Sequence, residues 1–529
     1  MVVSIQGRVM EGISGRVPAE SLWQSLLDRG RRAVFDRPAV RVDPIDVDDV
    51  QGFILRGYRM PMVRHLLLTV GVPEAARALL GRLVGGDEAD VPQITTAKDW
   101  HVGFEPGPFD DPAGTPRVKP DYCLNLGITW PGLIALDVAD HVPDLSFGSF
   151  AAFVAGAAER AHLVGDTGAG SPGNWVGGFG TGADHVLVTL HALGPGAMET
   201  YTDRLAELFT EGGAYRILSR HDGQALMEMR DGVAVPTSKV HFGYTDGISQ
   251  TTIRGGPENY SADRQQPCEP WLFVLREEAE NYSVPTPLQL GLNGSFAAFK
   301  IVETDIVGFE CFLQANKDTI DPEFLAAKIC GRWRNGVPLA LSPDTDSPSG
   351  GIPSGDLNDF DYVNADGSGD QKGLRCPVGA HIRRINPRGQ PVAGQGHPGG
   401  SNNSHRLVRR GMPYGPAYDP SQPYDGIERG LLGYFINASI ENQYEFVLSQ
   451  WVNGSEFAGA VRLDPDARDP MIGTQASNDS VFNIPRSRGA ADIKATGLTT
   501  FVTTKAAAYC FLPSVTAVKF IAGLPQAPR

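Results

Sequence analysis

HLLLTVGVPEAARALLGRLV, residues His65–Val84, reads as a strand followed by a helix with apolar residues at helical spacing. The phrase returns at Asp184 as DHVLVTLHA followed by METYTDRLAELF. It returns more faintly at Ser295 as SFAAFKIVET followed by VGFECFLQANK, and YEFVLSQWV at Tyr444 reads as a fourth echo. Strand–helix units that recur in this way predict an α+β fold of two related halves, each an antiparallel sheet with helices on one face.

The seam between the halves falls between about residues 250 and 290, where RGGPENYSADRQQPCEP (Arg254–Pro270) is polar and rich in turn formers. The expected organisation is a leader over residues 1–45, a first half over 46–265 and a second half over 266–529. SLWQSLLDRGRRAVF, from Ser21, reads as a helix within the leader. Near the C-terminus, Ala506–Leu524 is apolar but interrupted by Pro513 and Lys519, which predicts a buried strand–helix pair and not a membrane span. Two stretches rich in Gly, Ser, Asp and Pro, 343–373 and 389–403, are long loops of the kind that are functional or mobile. NADGSGD inside the first has too little acidic spacing for a calcium loop and reads as a solvated turn.

Composition narrows the function classes. The 529 residues are 41% apolar and 20% charged, with 46 Lys and Arg against 61 Asp and Glu, a net charge of −15. That balance argues against broad nucleic-acid binding and against docking on an anionic membrane. The N-terminus, MVVSIQGRVMEGISGRV, has no uninterrupted apolar core followed by a cleavage site, so no secretory signal is expected. Six scattered cysteines (Cys123, Cys268, Cys311, Cys330, Cys376, Cys510) contain no CxxC pair. They are expected to be reduced thiols in a cytoplasmic protein, without a cysteine zinc site.

Four segments carry residue types suited to chemistry. CPVGAHIRRINPR, Cys376–Arg388, sets His381 among arginines between the two long loops. A lone histidine is usually a core group with satisfied nitrogens; one alternative is an iron ligand from a single side, as in haem. FGYTDGISQ, Phe242–Gln250, reads locally as a turn around Asp246-Gly247; the alternative is that Gly243 and Gly247 bring backbone close to a flat ligand while Asp246 serves as acid and base. HRLVRRGMPYG, His405–Gly415, carries Arg409-Arg410, otherwise a surface cationic pair. SIENQYEF, Ser439–Phe446, carries Glu441 and reads locally as a capped helix start.

Together, and in this order, the segments resemble the later motifs of the dye-decolourising peroxidase family, with GYTDG matching its GxxDG signature. VDDVQGFILRGY, LNLGITWPGL, NGSFAAFKIVE, AAKICGRWRNGVPL and YCFLPSV are also similar to family blocks, so the likeness runs from Asp46 to the C-terminus. The long insertions resemble the larger subgroup. The resemblance implies two ferredoxin-like halves with peripheral helices, the GxxDG motif in the first, and haem b, one per chain, held in the second. It implies His381 as the proximal iron ligand and Glu441 as the carboxylate accepting the other ring N–H. It further implies Asp246 and Arg409 as the distal catalytic pair, with Arg410 facing elsewhere. Gly243, Gly247, Arg383 and Arg388 are the remaining expected haem contacts, the arginines toward propionates. Lys300 stands where an arginine is common, and Gly411 where some compact relatives carry asparagine.

The implied activity is reduction of hydrogen peroxide with one-electron oxidation of dyes, phenols or other aromatic reductants. The alternative is a haem-binding or iron-release protein without significant turnover, and a third possibility is a cofactor-free binding protein. No nucleic-acid or membrane partner is expected, and the chain is expected to be a monomer or homodimer.

Overall fold

The computed structural model describes residues 44–525, apart from 87, 89, 99–118, 143–149, 258–266, 278–282, 365, 393–401, 420–424, 456, 458–466 and 488–489. The expected helix from Ser21 and most of the 389–403 loop lie outside the described residues.

The repeated strand–helix phrases build one eight-stranded antiparallel sheet. Its first four strands are β1 (Met62–Val70), β2 (Tyr122–Ile128), β3 (Val186–Ala192) and β4 (Tyr215–Gln224). A two-stranded hairpin, β5 (Met227–Arg230) and β6 (Val233–Pro236), follows. The second group of sheet strands is β7 (Ser295–Thr304), β8 (Val408–Tyr414), β9 (Gly430–Asn437) and β12 (Val502–Leu512). A second hairpin, β10 (Ser480–Ile484) with β11 (Ile493–Leu498), lies between β9 and β12. The spatial order is β4-β1-β3-β2-β12-β7-β9-β8.

Within each group of four sheet strands, taken in chain order, the spatial order is fourth, first, third, second. This is the ferredoxin-like arrangement, produced twice. In the first group the crossovers carry helices Pro73–Arg82 and Pro195–Thr210; in the second they carry Ile306–Ala315, Pro322–Cys330 and the wide-turn helix over 440–452. The two groups meet where β2 pairs with β12 at Ile128 and Phe511. The free edges β4 and β8 curl toward each other until a Cβ on Gly223 would lie 3.0 Å from Met412 Cβ. Ile45–Arg529 is therefore one compact unit.

Strand burial follows from that curl. β1 is buried over the seven central residues of its nine, the pattern of a strand covered on both faces. One face meets the outer helices through residues such as Leu68, Leu126, Leu190 and Phe511. The other encloses Leu67, Phe299, Tyr434 and Ile436, with the short helix Gly52–Leu55 packed among them. Gln51 fixes that helix with its amide, donating to Leu126 O at 2.8 Å and Pro513 O at 2.9 Å.

Two expectations change. YEFVLSQWV is not a strand: Ser439 caps its start by accepting from Asn442 N, and the chain winds as a wide-turn helix through Val452. Five of its apolar residues (Tyr444, Phe446, Val447, Trp451, Val452) are buried and Leu448 is half-buried, which a short apolar run permits equally in a strand or a helix. The 343–373 segment has little regular structure, yet it is anchored, with Phe360 and Tyr362 buried at 2% and 1% exposure. Ala506–Leu524 forms strand β12 and helix Val515–Ala522, and among the described residues no helix is long and apolar enough to cross a membrane.

Candidate haem site

His381 opens a five-residue helix, His381–Ile385, directly after Ala380, which is still extended. Its Nδ1 lies 2.9 Å from Asp469 Oδ2. Asp469 is fully buried and held from several sides. Its Oδ1 accepts from Met471 N at 2.9 Å and Ile472 N at 3.0 Å, and its own N–H donates to Val452 O at 2.7 Å. Burial alone would raise the Asp469 pKa; the His381 ring, the Ile472 N–H and the Arg384 charge outweigh it and hold the carboxyl below its usual range. An ionised Asp469 accepts the Nδ1 proton, which leaves the Nε2 lone pair of His381 available to a metal.

The carboxylate behind His381 is therefore Asp469, and the expectation for Glu441 is corrected. Glu441 Oε1 accepts from Ala152 N at 2.6 Å, satisfying a free donor at the start of helix Ala151–Arg160. Burial, then Glu445, pushes its carboxyl upward against the opposing Ala152 bond. One turn on, Glu445 grips Arg160 of the same helix at 2.6 and 2.5 Å and accepts from Tyr509 Oη at 3.0 Å. Both acids of this segment dock a neighbouring helix.

His381 lines a cavity of about 740 Å³ shared with Asp246 and Arg409. Asp246 is set in its turn by two donated bonds, Asp246 N to Ser238 O and Thr245 N to Arg334 O, both within 2.9 Å. Gly243 and Gly247 have φ of 84° and 82°, the left-handed conformation this turn requires. A Cβ on Gly243 would also lie 2.9 Å from Arg334 Nη1. The two glycines shape the turn, while Phe242, Tyr244, Thr245 and Asp246 form the wall. Arg409 Nη1 stands 3.6 Å from Asp246 Oδ1, within ion-pair range but longer than a hydrogen bond. On β8 successive side chains alternate, so Arg410 takes the other face, where its Nε donates to Phe53 O at 2.7 Å.

The remaining expected contacts divide. Arg388 lines the cavity, stacks 3.8 Å from the Phe360 ring centroid and donates to the carbonyls of Asn358 and Phe360. Arg383 does not reach the wall. It is fully buried beneath, bonded to Gln390, Asp370 and the Cys376 carbonyl, and stacked on Tyr362. The 343–373 loop thus serves the site from below by supplying acceptors for these arginines.

Arg332 joins the wall from outside the sequence expectations, beside Lys300 and Gly411. Arg332 is buried, donates to the carbonyls of Gly336 and Leu357, and has its pKa lowered by burial. Lys300 Nζ, on β7, reaches both oxygens of Asp166 at 2.7 and 2.9 Å, and Thr504 Oγ1 donates to Asp166 Oδ1 at 2.6 Å. Gly411 also lines the wall, so no amide projects from that position.

These residues fit haem. Among the described residues no three metal-ligating side chains gather at one place. A lone imidazole with its second nitrogen anchored suits an iron that arrives with its own four equatorial nitrogens. Leu431, Leu432, Phe435, Val447, Leu448 and Ile472 give the cavity an apolar wall suited to a flat macrocycle, and Arg332 and Arg388 add two cations to the same wall.

No family model matches the chain. Among curated proteins, a dye-decolorizing peroxidase of Mycena epipterygia is 28% identical over 468 residues, covering 84% of this chain and 79% of the relative. The multifunctional dye peroxidase DyP2 of Amycolatopsis is 25% identical, covering 89% of this chain and 94% of its own. Among solved structures, a dye-decolorizing peroxidase in complex with 2,6-dimethoxyphenol superposes with a TM-score of 0.71 at 25% identity, over 90% of this chain and all of that one. An ancestral D-type dye-decolorizing peroxidase shares the fold with a TM-score of 0.72 at 24% identity, over 91% of this chain. With the motifs in order, the double ferredoxin-like sheet and relatives aligned along nearly the whole body, the chain resembles the dye-decolourising peroxidases in sequence and in fold.

Proposed function

We propose that this protein is a haem peroxidase that reduces hydrogen peroxide and oxidises dyes, phenols or other aromatic reductants in one-electron steps, with one haem b per chain. The observation that carries the reading is the cavity itself. A histidine anchored through Nδ1 to a buried carboxylate shares it with an aspartate–arginine pair.

Haem, when bound, supplies the redox chemistry that cleaves the peroxide O–O bond and draws single electrons from reductants. His381 would hold the iron through Nε2, and Asp469 keeps the Nδ1 proton in place, which would increase electron donation from the ring. Asp246 accepts a proton from one peroxide oxygen and returns it to the other, so that water can leave. Arg409 is permanently charged; it orients the peroxide and stabilises the negative charge that develops as the O–O bond lengthens. The 3.6 Å spacing of this pair leaves both groups available to a ligand between them. Arg388 and Arg332, both on the cavity wall, would pair with the haem carboxylates.

All six cysteines are free thiols, five of them buried, which supports a reducing compartment and hence the cytoplasm. The deciding experiment is the absorption spectrum of the purified protein before and after peroxide, with and without a phenol. A haem spectrum that changes with peroxide and returns as the phenol is oxidised is the expected result. Release of free haem or iron without turnover, or a protein that stays colourless after haem is added, would overturn the reading.

A further inference from the structure

Arg384 is fully buried, and its hydrogen-bond partners are all backbone oxygens. Nε points to Gly379 O at 3.3 Å, Nη1 donates to Trp451 O at 2.5 Å and Gly454 O at 2.9 Å, and Nη2 points to Ala467 O at 3.4 Å. The Phe457 ring lies 5.3 Å from the guanidinium carbon. Gly379 stands two residues before His381, and Ala467 two residues before Asp469. Trp451 is the neighbour of Val452, whose carbonyl receives the Asp469 N–H.

We infer that Arg384 is a positioning residue for the His381–Asp469 pair. One planar cation spans the three segments that carry the histidine, the carboxylate and the carboxylate's backbone anchor. Residues 467–469 have no regular structure of their own, and Asp469 must sit within hydrogen-bond reach of a ring on a different segment. A guanidinium is suited to that task because its donors leave in fixed in-plane directions; an ammonium at the same place carries the charge but concentrates its donors at one point. Arg384 also sets a positive charge near a buried anion, which makes the ionised Asp469 less costly to bury.

This inference rests on the reading of His381 as the iron ligand, and the test separates the two. The iron–imidazole stretching frequency of the ferrous holoprotein rises with the strength of the Nδ1 hydrogen bond. Wild-type protein, H381A, D469N and R384K are compared, together with the Fe(III)/Fe(II) midpoint potential of each. A wild-type stretch that persists in H381A means that His381 is not the ligand, whatever Arg384 does. With that band assigned, R384K is expected to lower its frequency and to move the potential positive, both toward D469N. A merely structural role would lower the melting temperature without moving either readout. R384K with the wild-type frequency and potential overturns the positioning role. If R384K gives no haem protein, R384Q decides by the same two readouts. Loss of soluble protein in both variants also overturns it, by making Arg384 a determinant of the fold as a whole.

Discussion

Asp469→Asn separates the proton-holding role of this residue from its role in the backbone. The carboxylate accepts three hydrogen bonds, from His381 Nδ1, Met471 N and Ile472 N. An asparagine oxygen can keep the two backbone donors, which then turns its amide nitrogen toward His381. A donor now faces Nδ1, so the free imidazole shifts its proton to Nε2, the atom needed by the metal. To bind iron the ring must move that proton back and set two N–H groups against each other in a site with no water access through Asp469. The cost is one lost hydrogen bond and one unsatisfied buried donor, together about 2–3 kcal/mol, or roughly 30–150-fold in haem affinity. Reversing the amide does not help, because two backbone donors would then lose their acceptor. Titration of apo-protein with haem, followed at the Soret band, should show this weakening with the apo-protein melting temperature little changed. Wild-type affinity and an unchanged ligation spectrum in D469N would refute the tautomer argument.

Glu441→Gln should leave the haem spectrum and affinity unchanged, and Glu441→Ala should cost about 1 kcal/mol of stability through the lost helix-start acceptor, measured by denaturant unfolding. Asp246→Asn should slow reaction with peroxide by roughly 10²–10⁴-fold in stopped-flow absorbance while the resting spectrum stays as in wild type. Lys300→Met strands Asp166 at 8% exposure and should destabilise by about 3–5 kcal/mol; adding Asp166→Asn should recover much of this in a double-mutant cycle. Acid should destabilise the sheet interior. Burial depresses His65 well below its usual pKa and, with Arg410 adding to it, brings His191 down to about 3, so the folded state resists protons that the unfolded chain takes up near pH 6.5. Stability is thus full above pH 6.5 and falls below it, by about 2 kcal/mol at pH 5 from His191 alone, a slope that urea unfolding at stepped pH would read and that His191→Gln should flatten.

Much of the fold was legible because strand–helix alternation is a local pattern. His65–Val84 shows period and turn chemistry within twenty residues, and its counterpart at Asp184 repeats both. The curl that brings Gly223 against Met412 was not legible, since it sums small twists over eight strands. YEFVLSQWV failed for a different reason. Its large apolar residues are buried except for the half-buried Leu448, so the short apolar run does not separate strand from helix, and the Ser439 cap, visible in the sequence, was the better guide. In the site, the family resemblance singled out Arg409 over Arg410, and strand alternation sends the two to opposite faces. Arg383 and Arg388 are five residues apart and both buried, and only the path of the chain after the short helix brings the second to the wall and keeps the first below it.

Asp469 shows where local reading stops. DPMIG carries a signal, an aspartate whose oxygen can accept from the N–H groups two and three residues on, but that pattern marks any tight turn. What makes this turn part of a haem site is a distance of 88 residues bridged by one hydrogen bond. Glu441 drew attention because it lies in a segment that does serve the site, though by a different means. The wide-turn helix sends its acids outward, Glu441 and Glu445 to helix Ala151–Arg160, and offers its last carbonyls inward, Val452 O to Asp469 and Trp451 O to Arg384. A side chain was expected where the backbone acts. Backbone carbonyls carry no residue signature, so sequence comparison can locate the segment while assigning its role to the wrong atoms. The same reasoning explains why a carboxylate from a loop suffices here: its position is set by acceptors on a buried helix and by a cation that no exposed group can displace.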